Sequence, residues 1–138
     1  MAVAKIVVIE DNPVFMGLFT AFLEHVTPRE FVIAGTARTG EDGLAVVAQL
    51  QPAAVIVDIK LPGISGLDVI GRLRAEDAAV AIVALTEADP EAFRAPTLAA
   101  GADAFVPKEQ LRTELLPALN GAVRARANPV ASEDHVDG

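Results

Sequence analysis

Apolar residues gather into five short runs along the chain, at 5–9, 31–34, 54–57, 80–85 and 104–106, each rich in Val, Ile or Ala. Runs of that length and composition predict strands. Between them, apolar positions recur at three- and four-residue spacing over 13–25, 40–50, 66–75 and 89–100, and again over 109–126 after the last run. That periodicity predicts five helices. Two helix starts carry clear signals. Asn12-Pro13 sets a capping residue before a proline at the first helical position, and Thr39 precedes Gly40-Glu41-Asp42 as a cap with acids in the first turn. Pro96 falls inside the fourth helix and is expected to kink or shorten it. Strict alternation of strand and helix predicts an α/β fold, a doubly wound five-stranded parallel sheet. Its ligand site is expected at the carboxyl ends of the strands, near the switch in strand order.

Composition narrows this picture. The 138 residues suit one domain, expected over 1–126, followed by a polar, acidic tail at 127–138 (ANPVASEDHVDG) that is expected to be disordered. Half the chain is hydrophobic (52%) without Trp or Tyr, so the core must be aliphatic, as buried parallel strands require. The longest apolar run, residues 78–85, is far short of the roughly 20 residues that span a membrane. The first residues lack the apolar stretch of a signal peptide, so a cytoplasmic location without membrane insertion is expected. The absence of cysteine removes disulfides and thiol chemistry, and a net charge of −8 argues against nucleic acid as a direct partner.

The candidate chemistry sits where the strand runs end. Glu10 and Asp11 follow the first run, Asp58 ends the third, Thr86 ends the fourth, and Lys108 lies just past the fifth. Taken singly each has a plain reading: a strand-end acid is usually a solvated cap favoured by the helix dipole, and Lys108 an ordinary surface lysine. Taken together they occupy one rim of the expected sheet. Three carboxylates gathered there repel one another unless a cation settles among them, and Mg²⁺ accepts a few oxygen ligands together with water and phosphate. Asp58 could then act as a nucleophile toward phosphorus, with the ion, the Thr86 hydroxyl and the Lys108 ammonium stabilising the transferring oxygens.

The segment Val55-Ile-Val-Asp58-Ile-Lys-Leu-Pro62-Gly63-Ile-Ser-Gly66 resembles the phosphoacceptor segment of response regulator receiver domains. The Glu10-Asp11 pair, Thr86 after Val83-Ala-Leu, and Gly101-Ala-Asp-Ala-Phe105-Val-Pro-Lys108 match the family's other parts. Thr86 falls 28 residues after Asp58, and Lys108 a further 22. The likeness runs over about residues 4–126 and implies a flavodoxin-like fold. It further implies that Asp58 is phosphorylated by a histidine kinase or phosphotransfer protein with Mg²⁺ as cofactor, and that a downstream effector protein reads the result. Asp11 and Asp58 would bind the ion directly with the Lys60 carbonyl, while Glu10 holds metal-bound water. Thr86 and Lys108 would bind the phosphoryl group, and Thr86 and Phe105 would form the switch, although Phe105 by itself also suits plain core packing. Catalysis would be confined to the domain's own phosphotransfer and autodephosphorylation.

Three features depart from the family pattern. Lys108 follows Pro107 and precedes Glu109 instead of a proline, Pro96 interrupts the fourth helix, and Glu87 follows Thr86 where a small residue is usual. A carboxylate at 87 is expected to stand at the mouth of the site and control access to it. Two other classes share part of this pattern. A haloacid-dehalogenase-like phosphatase also uses a strand-end Asp with Mg²⁺ but wants an acid two residues on, where Lys60 stands. A degenerate receiver serving only as an interaction module would not need the intact acid set.

Overall fold

The structure is a computed structural model that describes residues 3–26 and 30–127. The elements run β1 (Ala4–Ile9), α1 (Pro13–Val26), β2 (Phe31–Ala37), α2 (Gly40–Leu50), β3 (Ala54–Asp58), α3 (Gly66–Glu76), β4 (Ala81–Thr86), α4 (Pro90–Ala100), β5 (Ala104–Pro107), a 3₁₀ turn (Lys108–Gln110) and α5 (Leu111–Ala127). The strands form one parallel sheet in the order β2-β1-β3-β4-β5. The doubly wound arrangement expected from the alternation is therefore present, with the order reversing between β1 and β3.

Period-two alternation builds a core on each face of the sheet. Ile6, Val8, Ile56 and Val83 point toward α1 and α5, where they meet Phe19, Leu23, Leu115 and Leu119. Val7, Ile9, Val55 and Val57 point the other way, onto Val69, Ile70 and Leu73 of α3. The central strands are buried on both sides, which is why they read as unbroken apolar runs. Each fully buried Val, Ile or Leu contributes roughly 1.5–3 kcal/mol of transfer free energy. None of the described helices is long and apolar enough to cross a membrane.

Several expected boundaries need correction. β2 runs three residues past the expected 31–34, because the Gly35-Thr36-Ala37 stretch, although turn-like in composition, stays paired with Val7, Val8 and Ile9. Ala34 is the extra residue at a register shift between Ile6 and Val7, a bulge on an edge strand. β4 and β5 each extend one residue further, to Thr86 and Pro107. Pro96 does not shorten α4, which continues through it to Ala100. The helix starts at Pro90 with Asp89 as its cap, accepting from the Glu91 N–H at 3.0 Å, rather than at residue 89. The last helix begins at Leu111 after the 3₁₀ turn, not at 109, and reaches Ala127. The tail expected over 127–138 lies, apart from that helical Ala127, outside the described residues. Every described peptide bond is trans, those flanking Pro107 included.

Two packing features fix the ends of the sheet. At the carboxyl rim, a Cβ on Gly66 would collide with the Asp58 carbonyl oxygen and Ile59 Cα, so the first residue of α3 lies directly against the backbone that follows Asp58. The Gly66 N–H donates to the Ile59 carbonyl at 2.9 Å. At the opposite rim, Asp103 accepts hydrogen bonds from Arg74, Arg126 and the Ile82 N–H, joining α3, α5 and β4 just ahead of β5.

Candidate functional site

Parallel strands deliver their carboxyl ends to one rim, and four of the expected residues arrive there as direct continuations of strands. Glu10 and Asp11 leave β1, Asp58 closes β3 and Lys108 follows β5. They line a cavity of about 200 Å³ together with Asn12, Lys60 and Glu87. One carboxylate oxygen from each of Glu10, Asp11 and Asp58 lies within 4.8 Å of the other two.

Lys108 is the hub of the site. Its Nζ lies 3.0 Å from Asp58 Oδ2 as a hydrogen bond and 2.7 Å from Glu10 Oε1 as an ion pair outside directed hydrogen-bond geometry. The ammonium also sits 4.1 Å above the ring of Phe15, from the first turn of α1, so an aromatic face shields the side away from the acids. Glu87 Oε1 approaches the same nitrogen at 3.7 Å from the solvent side. Asp58 is held by its other oxygen, Oδ1, which accepts the Lys60 N–H at 3.0 Å. Glu10 Oε2 accepts the Asn12 N–H at 3.1 Å.

Burial and charge shift two of these groups. Burial pushes the Glu10 carboxyl, only 1% exposed, above the usual carboxylate range; Lys108 and the Asn12 N–H pull it down without cancelling that effect. Burial likewise works to depress the Lys108 ammonium, but contacts with Glu10 and Asp58, and their charges, together outweigh it and hold Lys108 above the ordinary lysine value. The ammonium pairs with Glu10 and Asp58, and Asp11 joins their cluster, so the three acids keep two negative charges in excess of it. Oxygen donors clustered with that surplus suit a hard divalent ion.

Two expected site residues stand apart from the cavity. Thr86 is buried, its Oγ1 accepting the Ala88 N–H at 2.8 Å, which ties down the turn that presents Glu87. Phe105 is buried in the core shared with α3 and α4, with the Arg94 guanidinium carbon 4.9 Å from its ring centre. Two residues contribute more than the sequence indicated. Asn12 reads only as a helix cap, and it does accept the Val14 N–H at 2.9 Å, yet it also lines the cavity. Phe15 reads as one more apolar position of α1, and an aromatic residue in the first turn after an acid pair was the available signal.

Comparison with known proteins identifies the family and the fold. The profile of the response regulator receiver domain matches residues 6–120. The Bordetella pertussis transcription regulator BvgA is 31% identical over 119 residues, covering 86% of this chain and 56% of BvgA. The nitrate/nitrite response regulator NarL of Escherichia coli is 28% identical over 120 residues, covering 86% of this chain and 54% of NarL. The chain thus spans little more than half the length of these relatives. Among solved structures, the activated N-terminal receiver domain of Klebsiella pneumoniae RstA matches with a TM-score of 0.77 and 30% identity, covering 87% of this chain and 98% of that one. A two-component response regulator of the LuxR family from Aurantimonas matches in fold with a TM-score of 0.83 at 22% identity, covering 96% and 99%.

Proposed function

The chain belongs to the response regulator receiver domains of two-component signalling, and from that premise we propose that Asp58 accepts a phosphoryl group from a histidine on a kinase or phosphotransfer protein. The observation that carries this reading is the buried ammonium of Lys108, 3.0 Å from Asp58 Oδ2, set in a surplus of carboxylate. In the transfer, an Asp58 carboxylate oxygen forms a bond to phosphorus while the bond from phosphorus to the donor's imidazole nitrogen breaks, its electron pair leaving on the imidazole. Lys108 neutralises charge on the phosphoryl oxygens, and the Lys60 N–H keeps the Asp58 carboxylate oriented. The Thr86 hydroxyl exchanges its Ala88 partner for a phosphoryl oxygen, and Phe105 responds to that movement as the switch.

Receiver domains bind Mg²⁺ through acidic residues, and the acids at this rim fit such an ion. Asp11, Asp58 and the Lys60 carbonyl would ligate it, with Glu10 holding a metal-bound water; the ion supplies charge compensation for the transferring oxygens. The domain acts as a signalling protein whose catalysis is limited to its own phosphorylation and autodephosphorylation. It includes the last helix to Ala127, works in the cytoplasm, and passes its state to an effector protein. The phosphatase alternative is not favoured, since the family match runs over residues 6–120 and reaches all five strands.

The test is incubation with Mg²⁺ and acetyl phosphate followed by intact-mass measurement. The parent gains one phosphoryl group that hydroxylamine removes, whereas Asp58→Asn gains none while keeping its helical circular dichroism. Labelling that persists in Asp58→Asn rules the assignment out.

A further inference from the structure

The reading of Asp58 as phosphoacceptor leaves Glu87 without a role, yet Glu87 stands at the same cavity. Its backbone follows Thr86, and its carboxylate reaches Lys108 Nζ at 3.7 Å from the open side, with 68% of the side chain exposed. Glu10 and Asp58 hold that ammonium from within. Any phosphoryl oxygen that approaches Lys108 from solvent must therefore displace or pass a carboxylate.

Charge makes the consequence specific. Glu10, Asp11, Asp58 and Glu87 set four negative charges around the cavity against two lysines, Lys60 and Lys108. A bound divalent cation brings that set to neutrality, whereas the same site without Glu87 would carry a net positive charge. We propose that Glu87 is a specificity-determining residue that selects phosphoryl donors by charge, slowing small free dianions relative to donors whose negative charge is lower or whose approach is supported by contacts elsewhere on the protein. The proposal rests on Asp58 being the acceptor. Because the side chain is exposed, its field acts largely through water, so the selection is moderate in size and weakened by salt.

Two probe donors separate charge from simple obstruction. Acetyl phosphate reaches the site as a dianion and transfers its phosphoryl group to Asp58 with acetate leaving. Phosphoramidate carries a protonated nitrogen and a smaller net negative charge, and leaves ammonia. Glu87→Gln keeps the size of the side chain and removes its charge. We expect this variant to accelerate labelling by acetyl phosphate about three- to tenfold at low ionic strength, and labelling by phosphoramidate by clearly less. The difference between donors should shrink as KCl is raised. Equal acceleration of both donors, or none, overturns the proposal. Because the field that slows a dianion also attracts the cation, labelling is compared at Mg²⁺ concentrations that titration calorimetry shows to be saturating for each protein; a difference between donors that vanishes at saturation would mean that Glu87 acts through the ion, and would also overturn it. The double variant Asp58→Asn/Glu87→Gln should take no label. Label on the double variant refutes Asp58 as acceptor, a failure distinct from that of the Glu87 proposal.

Discussion

β5 is four residues long, and a charged cluster sits at each of its ends: Asp103 immediately before it and Lys108 immediately after. The two clusters are built in opposite ways. Around Asp103, one carboxylate meets two guanidiniums, and every group is used. Asp103 Oδ2 accepts Arg74 Nη2 at 3.0 Å and the Ile82 N–H at 2.8 Å, while Oδ1 accepts both Nε and Nη2 of Arg126, at 2.9 and 2.5 Å. The remaining donors go to backbone: Arg74 Nε to Gly101 O at 3.0 Å, Arg74 Nη1 to Val80 O at 2.7 Å, and Arg126 Nη1 to Ala78 O at 2.8 Å. At the Lys108 end a single inner ammonium serves a cluster of three acids, and Glu10 is buried at a cost that raises its affinity for a proton. A completed network holds an architecture, whereas an uncompensated one holds binding energy for a ligand that is still to come. Unbalanced charge alone does not mark function, since the Asp103 cluster has one positive charge in excess; surplus acid beside a buried carboxylate oxygen of Glu10 that no hydrogen bond satisfies does.

The sharpest way to break this comparison is at the finished end. Asp103→Ala leaves two partly buried guanidiniums without their shared carboxylate and unpairs the Ile82 N–H, which should destabilise the fold by about 2–4 kcal/mol. Urea unfolding followed by far-ultraviolet circular dichroism measures it, which suits a chain without Trp or Tyr. Labelling of the folded variant by acetyl phosphate should remain within about twofold of the parent, because no Asp103 contact reaches the cavity. A loss of labelling at full folding would show that the two ends are coupled and that the contrast is false.

The two clusters also differ in how far the sequence revealed them. Asp58, Lys108, Thr86 and the Glu10-Asp11 pair were legible because each directly continues an apolar run, so finding the strand finds the rim. The arginines of the Asp103 cluster carry no such address. They lie 29 and 23 residues from their partner, on the flanks of α3 and α5, where an exposed arginine is the ordinary expectation. Element types were legible from periodicity throughout, but ends were not. β2 continued through a glycine because its neighbour β1 kept pairing with it. α4 tolerated Pro96 on its exposed side, since the proline removes one donor without breaking the packing of the buried Thr97 or the half-buried Phe93. Tertiary contacts decided both cases, and no local pattern encodes them.

The unfinished end should respond to cation where the finished one does not. Mg²⁺ at ten times its dissociation constant should stabilise the parent by about 1.4 kcal/mol, following the linkage of binding to folding. Asp11→Asn and Asp58→Asn should lose most of that gain, while Asp103→Ala, although less stable at the outset, should keep it. Equal gains in all four proteins would mean that the ion binds elsewhere.

The smallest effect concerns what holds the acid cluster together before any ion arrives. Lys108 has a folded-state pKa raised above the ordinary value of 10.5 once its acid partners have outweighed its burial. A raised cationic pKa means that the folded state binds the proton more tightly than the unfolded state. The resulting stability is complete below about pH 10.5 and is lost as pH climbs through the higher folded value. In chelator, the parent's urea midpoint should therefore fall as pH rises from about 10.5 through the higher folded value, and Lys108→Met should remove this part of the slope, so that the two curves converge at high pH. The chain is well suited to the measurement, because it has no Tyr or Cys and only two other lysines, Lys5 and Lys60, common to both proteins. The size should be below both effects above, since desolvation of the ammonium already offsets much of what Glu10 and Asp58 contribute. Parallel curves for the two proteins would mean that Lys108 is not the compensating cation, and would remove the distinction between the two ends of β5.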